Sequence, residues 1–189
     1  MRMAKISAPR PVKVTAWQSV ERDAVSQLCP KCGLCCNGVL FNDVELQPGD
    51  NRIRLRSLGL LLERKKGRTL YFSQPCACFD GKLCGIYKDR PVRCRTFECR
   101  LLQQVQADEI TVASGLQTIE RTRRTVERLR RLVRQFGQKD EGLPLNRRYQ
   151  ELLAEPYDLA GDPNLTRLRA QLLRAVSKLV VILERSFLT

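Results

Sequence analysis

Four cysteines fall within eight residues, Cys29-Pro30-Lys31-Cys32-Gly33-Leu34-Cys35-Cys36, and five more, Cys76, Cys78, Cys84, Cys94 and Cys99, follow in one compact stretch. Thiolates two residues apart can turn around one ion, because a short loop brings both sulfurs to the roughly 2.3 Å that zinc or iron requires. A disulfide closes poorly at that spacing, and nine cysteines leave one unpaired in any all-disulfide scheme. Three sulfurs at successive two-residue gaps nearly complete a mononuclear site. Cys35 and Cys36 are adjacent and project in different directions, so they serve either different metals or different corners of one cluster. The remaining ligands must come from Cys76 onward, about 40 residues downstream, which would tie the two segments together. All-cysteine sites hold zinc and iron alike, and the lack of histidine removes only the mixed zinc sites. The C-x2-C-x2-C run approaches ferredoxin ligation, but its next cysteine is adjacent rather than three residues on, so that reading fails.

Composition points the same way. Met1 to Val14 is basic and proline-broken and lacks the apolar core of an export signal. The expected location is therefore the reducing cytoplasm, where clustered cysteines are metal ligands or redox groups more often than staples. With 189 residues, 43% hydrophobic and 29% charged, the chain suits one globular domain, or a domain with an appendage. The longest apolar run near its end, Leu179 to Leu183, is far short of the roughly 20 residues that span a bilayer, so no membrane span is expected. The formal charge of +14 counts neutral thiols. Two all-thiolate zinc sites would lower it to about +10, and one four-iron cluster to about +12.

The elements that must position these cysteines can be read in part. After a Pro-rich leader with Pro9 and Pro11, the spacing of Trp17, Val20, Ala24, Val25 and Leu28 predicts a helix delivering the chain to Cys29. Alternation over Val39–Leu46 predicts a short strand before the turn Pro48-Gly49-Asp50. Ile53 to Leu62 is ambiguous between helix and strand and ends at Lys65-Lys66-Gly67; Thr69 to Phe72 reads as a strand. Pro91 would open a helix carrying Cys94. Ile110 to Phe136 predicts a long amphipathic helix stopped by Gly137, and Tyr149 to Leu153 a short one. A second long helix would start at the cap Asp162 and Pro163 and run to Phe187. The expected fold is α+β: a small irregular cysteine-rich metal-binding module with short strands, packed against a mainly α-helical C-terminal part built on an antiparallel helical pair. Three regions are expected, residues 1–28, 29–100 and 101–189.

Cys29-x-x-Cys32-Gly33-x-Cys35-Cys36, then Cys76, then Cys84-Gly-Ile86-Tyr87-x-x-Arg90-Pro91-x-x-Cys94-Arg95-x-Phe97 resembles the CxxCxxCC, or YkgJ-type, cysteine-cluster family over about residues 29–100. The resemblance implies a zinc- or iron-chelating domain with Cys29, Cys32, Cys35, Cys36, Cys76, Cys84 and Cys94 as ligands. Cys78 and Cys99 are additional: they either complete an eight-ligand, two-metal set or stand by. Seven ligands do not divide into two closed sites of four, which leaves room for an open, substrate-binding position. Arg90 and Arg95, both in the motif, are expected to offset thiolate charge and donate hydrogen bonds around the site. Arg93 and Arg100 read as surface residues.

Between Glu120 and Arg134 lie seven arginines, Arg121, Arg123, Arg124, Arg128, Arg130, Arg131 and Arg134. Such a stripe could track phosphates, but no aromatic side chains interleave it and no recognition motif accompanies it. The same spacing supports intrahelical pairs, Glu120 with Arg124 and Glu127 with Arg131, and a solvated face is the plainer reading. Interfacial Trp and Phe anchors for a membrane surface are missing. No Cys–His couple, phosphate-cradling loop or dinucleotide fingerprint is present. Asp80, Asp89 and Glu98 are scattered among basic residues, and Asp89 or Asp43 reads as an ion-paired surface acid before a base. The leading expectation is a cytoplasmic metal-binding protein holding zinc or iron, an iron–sulfur cluster included. The alternatives are an iron–sulfur modification enzyme or electron-transfer accessory, and a zinc-stapled nucleic-acid or protein adaptor using helix 120–134.

Overall fold

The computed structural model describes residues 16–64, 69–156 and 162–188, with side chains of the first helix from Ala24 onward. The leader prolines Pro9 and Pro11 and the Lys65-Lys66-Gly67 stretch that was expected to end the ambiguous segment lie outside the described residues. In chain order the elements are α1 (Ala16–Cys32), β1 (Asp43–Glu45), α2 (Arg52–Ser57), β2 (Glu63–Arg64), β3 (Leu70–Ser73), a 3-10 turn (Tyr87–Asp89), α3 (Val92–Thr96), α4 (Arg100–Gln106), α5 (Val112–Gln135), α6 (Leu145–Ala154) and α7 (Pro163–Ser186). The fold is α+β, as expected.

The helices start and stop where their residues dictate. Asn51 caps α2 by accepting from the Arg54 amide at 3.0 Å, Thr111 caps α5 by accepting from Ser114, and Asp162 caps α7 by accepting from Asn164 at 2.8 Å. Gly137 follows α5 with a positive φ, the expected stop. One helix goes further than its sequence suggested: α1 does not end before Cys29 but runs through Cys32, carrying Pro30 in its last turn. Cys29 and Cys32 therefore stand three apart on one face of a helix end rather than in a loop.

The strands are shorter than the alternating pattern implied. Only Asp43–Glu45 of the Val39–Leu46 stretch is β, because Val39 is drawn into the helical core instead. The ambiguous segment resolves into both α2 and β2. The sheet is antiparallel in the order β1-β3-β2, with Val44 opposite Phe72 and Glu63 opposite Tyr71.

Two apolar cores result. The larger joins Leu28, Leu34 and Val39 to Leu101, Leu102, Val105, Ile119, Leu129, Val133, Leu172, Leu179 and Phe187. Each buried chain of this size stabilises by ~2 kcal/mol. The long helices α5 and α7 pack along each other. Arg169 near the start of α7 donates to the Leu152 and Leu153 carbonyls at 3.1 and 2.9 Å, satisfying the open end of α6. At the other end of α7, the Arg100 guanidinium donates to the Glu184 carbonyl at 3.1 Å. The smaller core holds Leu55, Leu60, Phe72 and Ile86 beside the sheet. Among the described residues no helix is long and apolar enough to cross a membrane.

Candidate metal centre

The nine cysteines are free thiols, all half-buried, and they lie along the seam between the two cores. Cys29, Cys32 and Cys99 pack against the helical core, and Cys76, Cys78, Cys84 and Cys94 against the sheet core. Cys35 and Cys36 sit between them, in the turn that follows α1. Leu34, 0% exposed, pins that turn to the helices. The Cys36 and Asn37 amides both donate to the Gly33 carbonyl at 3.0 Å. The Cys76 amide donates to the Cys36 carbonyl at 2.8 Å, which splices the two cysteine blocks together by their main chains.

Gly33 has φ +67, and a Cβ there would meet the Phe79 Cζ at 2.8 Å. The motif glycine thus serves two needs at once: a left-handed turn straight after Cys32, and close approach of the second block's phenylalanine. Gly33→Ala is expected to destabilise the protein by about 2 kcal/mol and to lower its metal content, read by thermal unfolding and metal analysis.

The second block is built from tight turns. The Asp80 carboxylate accepts from the Lys82 and Leu83 amides at 2.7 and 2.6 Å, and a β-bridge pairs Phe79 with Cys84. The Gly85 amide donates to the Cys78 carbonyl at 2.8 Å. Asp50, from the Pro48-Gly49-Asp50 turn, accepts from the Val92 amide at 2.8 Å and fixes the start of α3, which carries Cys94. Cys99 stands at the N-cap of α4. Asp89 pairs with Arg54 at 3.6 Å on the surface.

Burial is the main force on these thiols. It raises Cys29 to about 11 and Cys32 to about 12, with Cys99 pushing both the same way. Cys35 is raised further, by burial and then by Cys32, Cys36, Cys99 and Cys29. Burial likewise takes Cys36, Cys76 and Cys94 to about 12. Cys84 and Cys94 add to the rise at Cys36, and Cys76 and Cys84 to that at Cys94. Cys78 rises through burial and Cys84, and its sulfur lies 3.6 Å from the Leu58 carbonyl. Main-chain amides oppose the trend: that of Leu34 at Cys32, that of Cys78 at Cys76, and those of Leu102 and Leu101 at Cys99. Amides aimed at sulfur favour thiolate, which is the form a metal takes. The donor set therefore fits an all-thiolate metal centre. Among the described residues, no three of these groups already converge on one ion-sized point.

Arg90 stands at the seam. Its Nε donates to the Tyr87 carbonyl at 3.0 Å, its guanidinium lies 3.7 Å over the Tyr87 ring, and its charge pulls Cys29, Cys36 and Cys94 down. Arg95 is exposed on α3, where its amide donates to the Pro91 carbonyl at 3.1 Å, and among the described residues its side chain makes no hydrogen bond to the cysteine segments. The basic helix holds a surprise. Arg123 donates to the Lys31 carbonyl at 2.8 Å and Arg130 to the Asn37 carbonyl at 3.2 Å, so two of the seven arginines clamp the main chain on either side of Cys32–Cys36. Their seven-residue spacing, two helical turns flanking the buried Val126, was the signal that could have marked them. Glu120 pairs with Arg124 at 2.9 Å as expected. Glu127 reaches Arg130 at 2.8 Å rather than Arg131, because Arg130 is already turned toward the cysteine block.

Comparison with curated proteins and with solved structures returns no match. Residues 28–115 match the family model CxxCxxCC, described as "Putative zinc- or iron-chelating domain".

Proposed function

We propose that the chain binds zinc or iron through two groups of thiolates that meet at the Cys35–Cys36 peptide bond. Cys29, Cys32, Cys35 and Cys99 form the helical-side group, and Cys36, Cys76, Cys84 and Cys94 the sheet-side group. The observation that carries this reading is the packing of the cysteines on two different apolar cores, with the adjacent pair at the fork. The electrostatic neighbours run in the same sense: Cys35 is raised by Cys32, Cys99 and Cys29, and Cys36 by Cys84 and Cys94. In this reading Cys99 is a ligand and Cys78 a bystander. Arg90 acts from the seam by offsetting thiolate charge, and Arg95 serves the fold's surface. Bound zinc would staple the segments, whereas bound iron would add electron transfer.

Cys36 is also raised by Cys29, and it raises Cys35 and Cys32 in turn, across the fork. That observation favours a second reading, one iron–sulfur cluster drawing on both groups, in an electron-transfer accessory or a modification enzyme of a reducing, cytoplasmic compartment. An adaptor for nucleic acid or protein has less support, since Arg123 and Arg130 are spent on the cysteine block. Anaerobic purification with metal and acid-labile sulfide analysis separates these readings. Colourless protein with two zinc ions per chain supports the two-group arrangement, and a brown chromophore near about 400 nm with sulfide supports the cluster. Stably folded protein that takes up neither metal overturns both.

A further inference from the structure

A cleft of about 220 Å³ opens between the cysteine turn, α5 and the start of α6, and three arginines line it: Arg123, Arg130 and Arg148. Arg148 is the unusual one. Its side chain is almost wholly buried, with the residue 2% exposed, yet among the described residues its only hydrogen bond runs from one terminal nitrogen to the Gln138 carbonyl at 3.1 Å. Among the described residues, its Nε is buried without a hydrogen-bond partner. A guanidinium offers five donors and stays charged, so leaving it desolvated and mostly unbonded is expensive.

Burial is the largest force against its charge; Glu141 and Asp140 offset that only in part, and Arg130 and Arg134 add to it. Glu141 and Glu127 also line the cleft, but Glu141 is held by Arg134 and Glu127 by Arg130. Asp140 accepts from the Gly142 amide at 2.9 Å. The cleft therefore keeps a surplus of positive charge in a concave, partly apolar setting whose walls include Val126 and Leu145. Planar guanidinium forks converging on one cavity match the oxygens of an oxyanion.

We propose that this cleft binds a small-molecule oxyanion, a phosphate or carboxylate group, with Arg148 as the buried anchor and Arg123 and Arg130 at its sides. The same two α5 arginines hold the Lys31 and Asn37 carbonyls, so an occupant would rest against the turn that carries Cys32. Cys32 itself lines the cleft, but the proposal does not rest on the metal reading, since it needs only the cleft and its cations.

The test is calorimetric titration of the full-length, metal-loaded protein with inorganic phosphate and, in a parallel arm, with succinate, at constant ionic strength set with chloride. Saturable binding of one or both is expected, and the stronger arm identifies the oxyanion class. Arg148→Met should weaken that binding about tenfold or more, leave the metal content unchanged, and match or exceed the wild type in thermal stability, because a buried charge that its neighbours offset only in part is replaced by an apolar chain. A purely structural Arg148 would give the reverse, lower stability with binding intact. Arg148→Lys, which keeps the charge and loses the fork, should show intermediate affinity, and it decides the matter should Arg148→Met fail to fold. Absence of saturable binding of either anion by the wild type up to about 10 mM overturns the proposal, as does full affinity in the Arg148 variants.

Discussion

Cys36→Ser is expected to strip the metal from the sheet-side group and to unfold the segment from β1 to α3, whereas Cys78→Ser should leave both metal content and fold in place. The difference follows from position. Cys36 lies at the fork, and its own carbonyl receives the Cys76 amide at 2.8 Å, so it joins the two cysteine blocks through both side chain and main chain. Cys78 neighbours Cys76 and Cys84 but donates outward to the Leu58 carbonyl, at the edge of the group. The segment has little else to hold it. Its buried apolar chains are Leu55, Leu60, Phe72 and Ile86, a small core for a stretch rich in turns and with strands of two to four residues. A structural zinc site supplies on the order of 10 kcal/mol at neutral pH, and in small domains that is the folding free energy. The helices α5 and α7, which share the larger core, should stay folded. The expected signature is loss of amide-exchange protection over residues 43–96 with most of the helical circular dichroism retained. Full metal content in Cys36→Ser, or equal metal loss in Cys78→Ser, would sink the two-group assignment.

Much of this arrangement was legible in the residues because it rests on local chemistry. Caps such as Asp162, the stop at Gly137, and the apolar stripes of α5 and α7 are set within a turn or two of sequence, and those elements came out as expected. The cysteine spacing and the Cys84 to Phe97 motif carried the resemblance, and the family model matches beyond Cys99 to residue 115. That extension has a packing reason: Gly115, in the first turns of α5, lies against Leu28 and Val105, so the helix bearing Cys29 seats on α5 there. What the residues alone did not reveal depends on distant partners. Seven of the nine cysteines pack on one core or the other, and core membership is set by contacts between segments far apart in sequence. Asp50 was legible as a turn residue, but its bond to the Val92 amide spans 42 positions. Arg123 and Arg130 reach back 92 and 93 positions to the cysteine turn, and their spacing on a charged helix resembles that of any solvated face.

Acidity gives the sharpest check, because metal-free and metal-loaded protein should respond to pH with opposite signs. The ordinary thiol value is 9.0, and burial carries Cys29 to about 11 and Cys32, Cys36, Cys76 and Cys94 to about 12 in the metal-free fold. Between pH 9 and those values the unfolded chain has released protons that the folded chain still holds. Unfolding is then coupled to proton loss, and stability falls as pH rises through that window. Below pH 9 both states keep their thiol protons, and the slope from these groups vanishes. Metal binding runs the other way. Each ligand must give up its proton, so every ion taken up by four thiols releases up to about four protons near neutrality, and affinity climbs with pH. Denaturant melts of the reduced protein at pH 8 and pH 10.5 should show stability dropping with pH in the absence of zinc, and the increment that added zinc supplies growing with pH. Titration of zinc in two buffers of different ionisation enthalpy counts the protons directly. A count near zero at pH 7 would mean that the metal is held by groups other than these buried thiols.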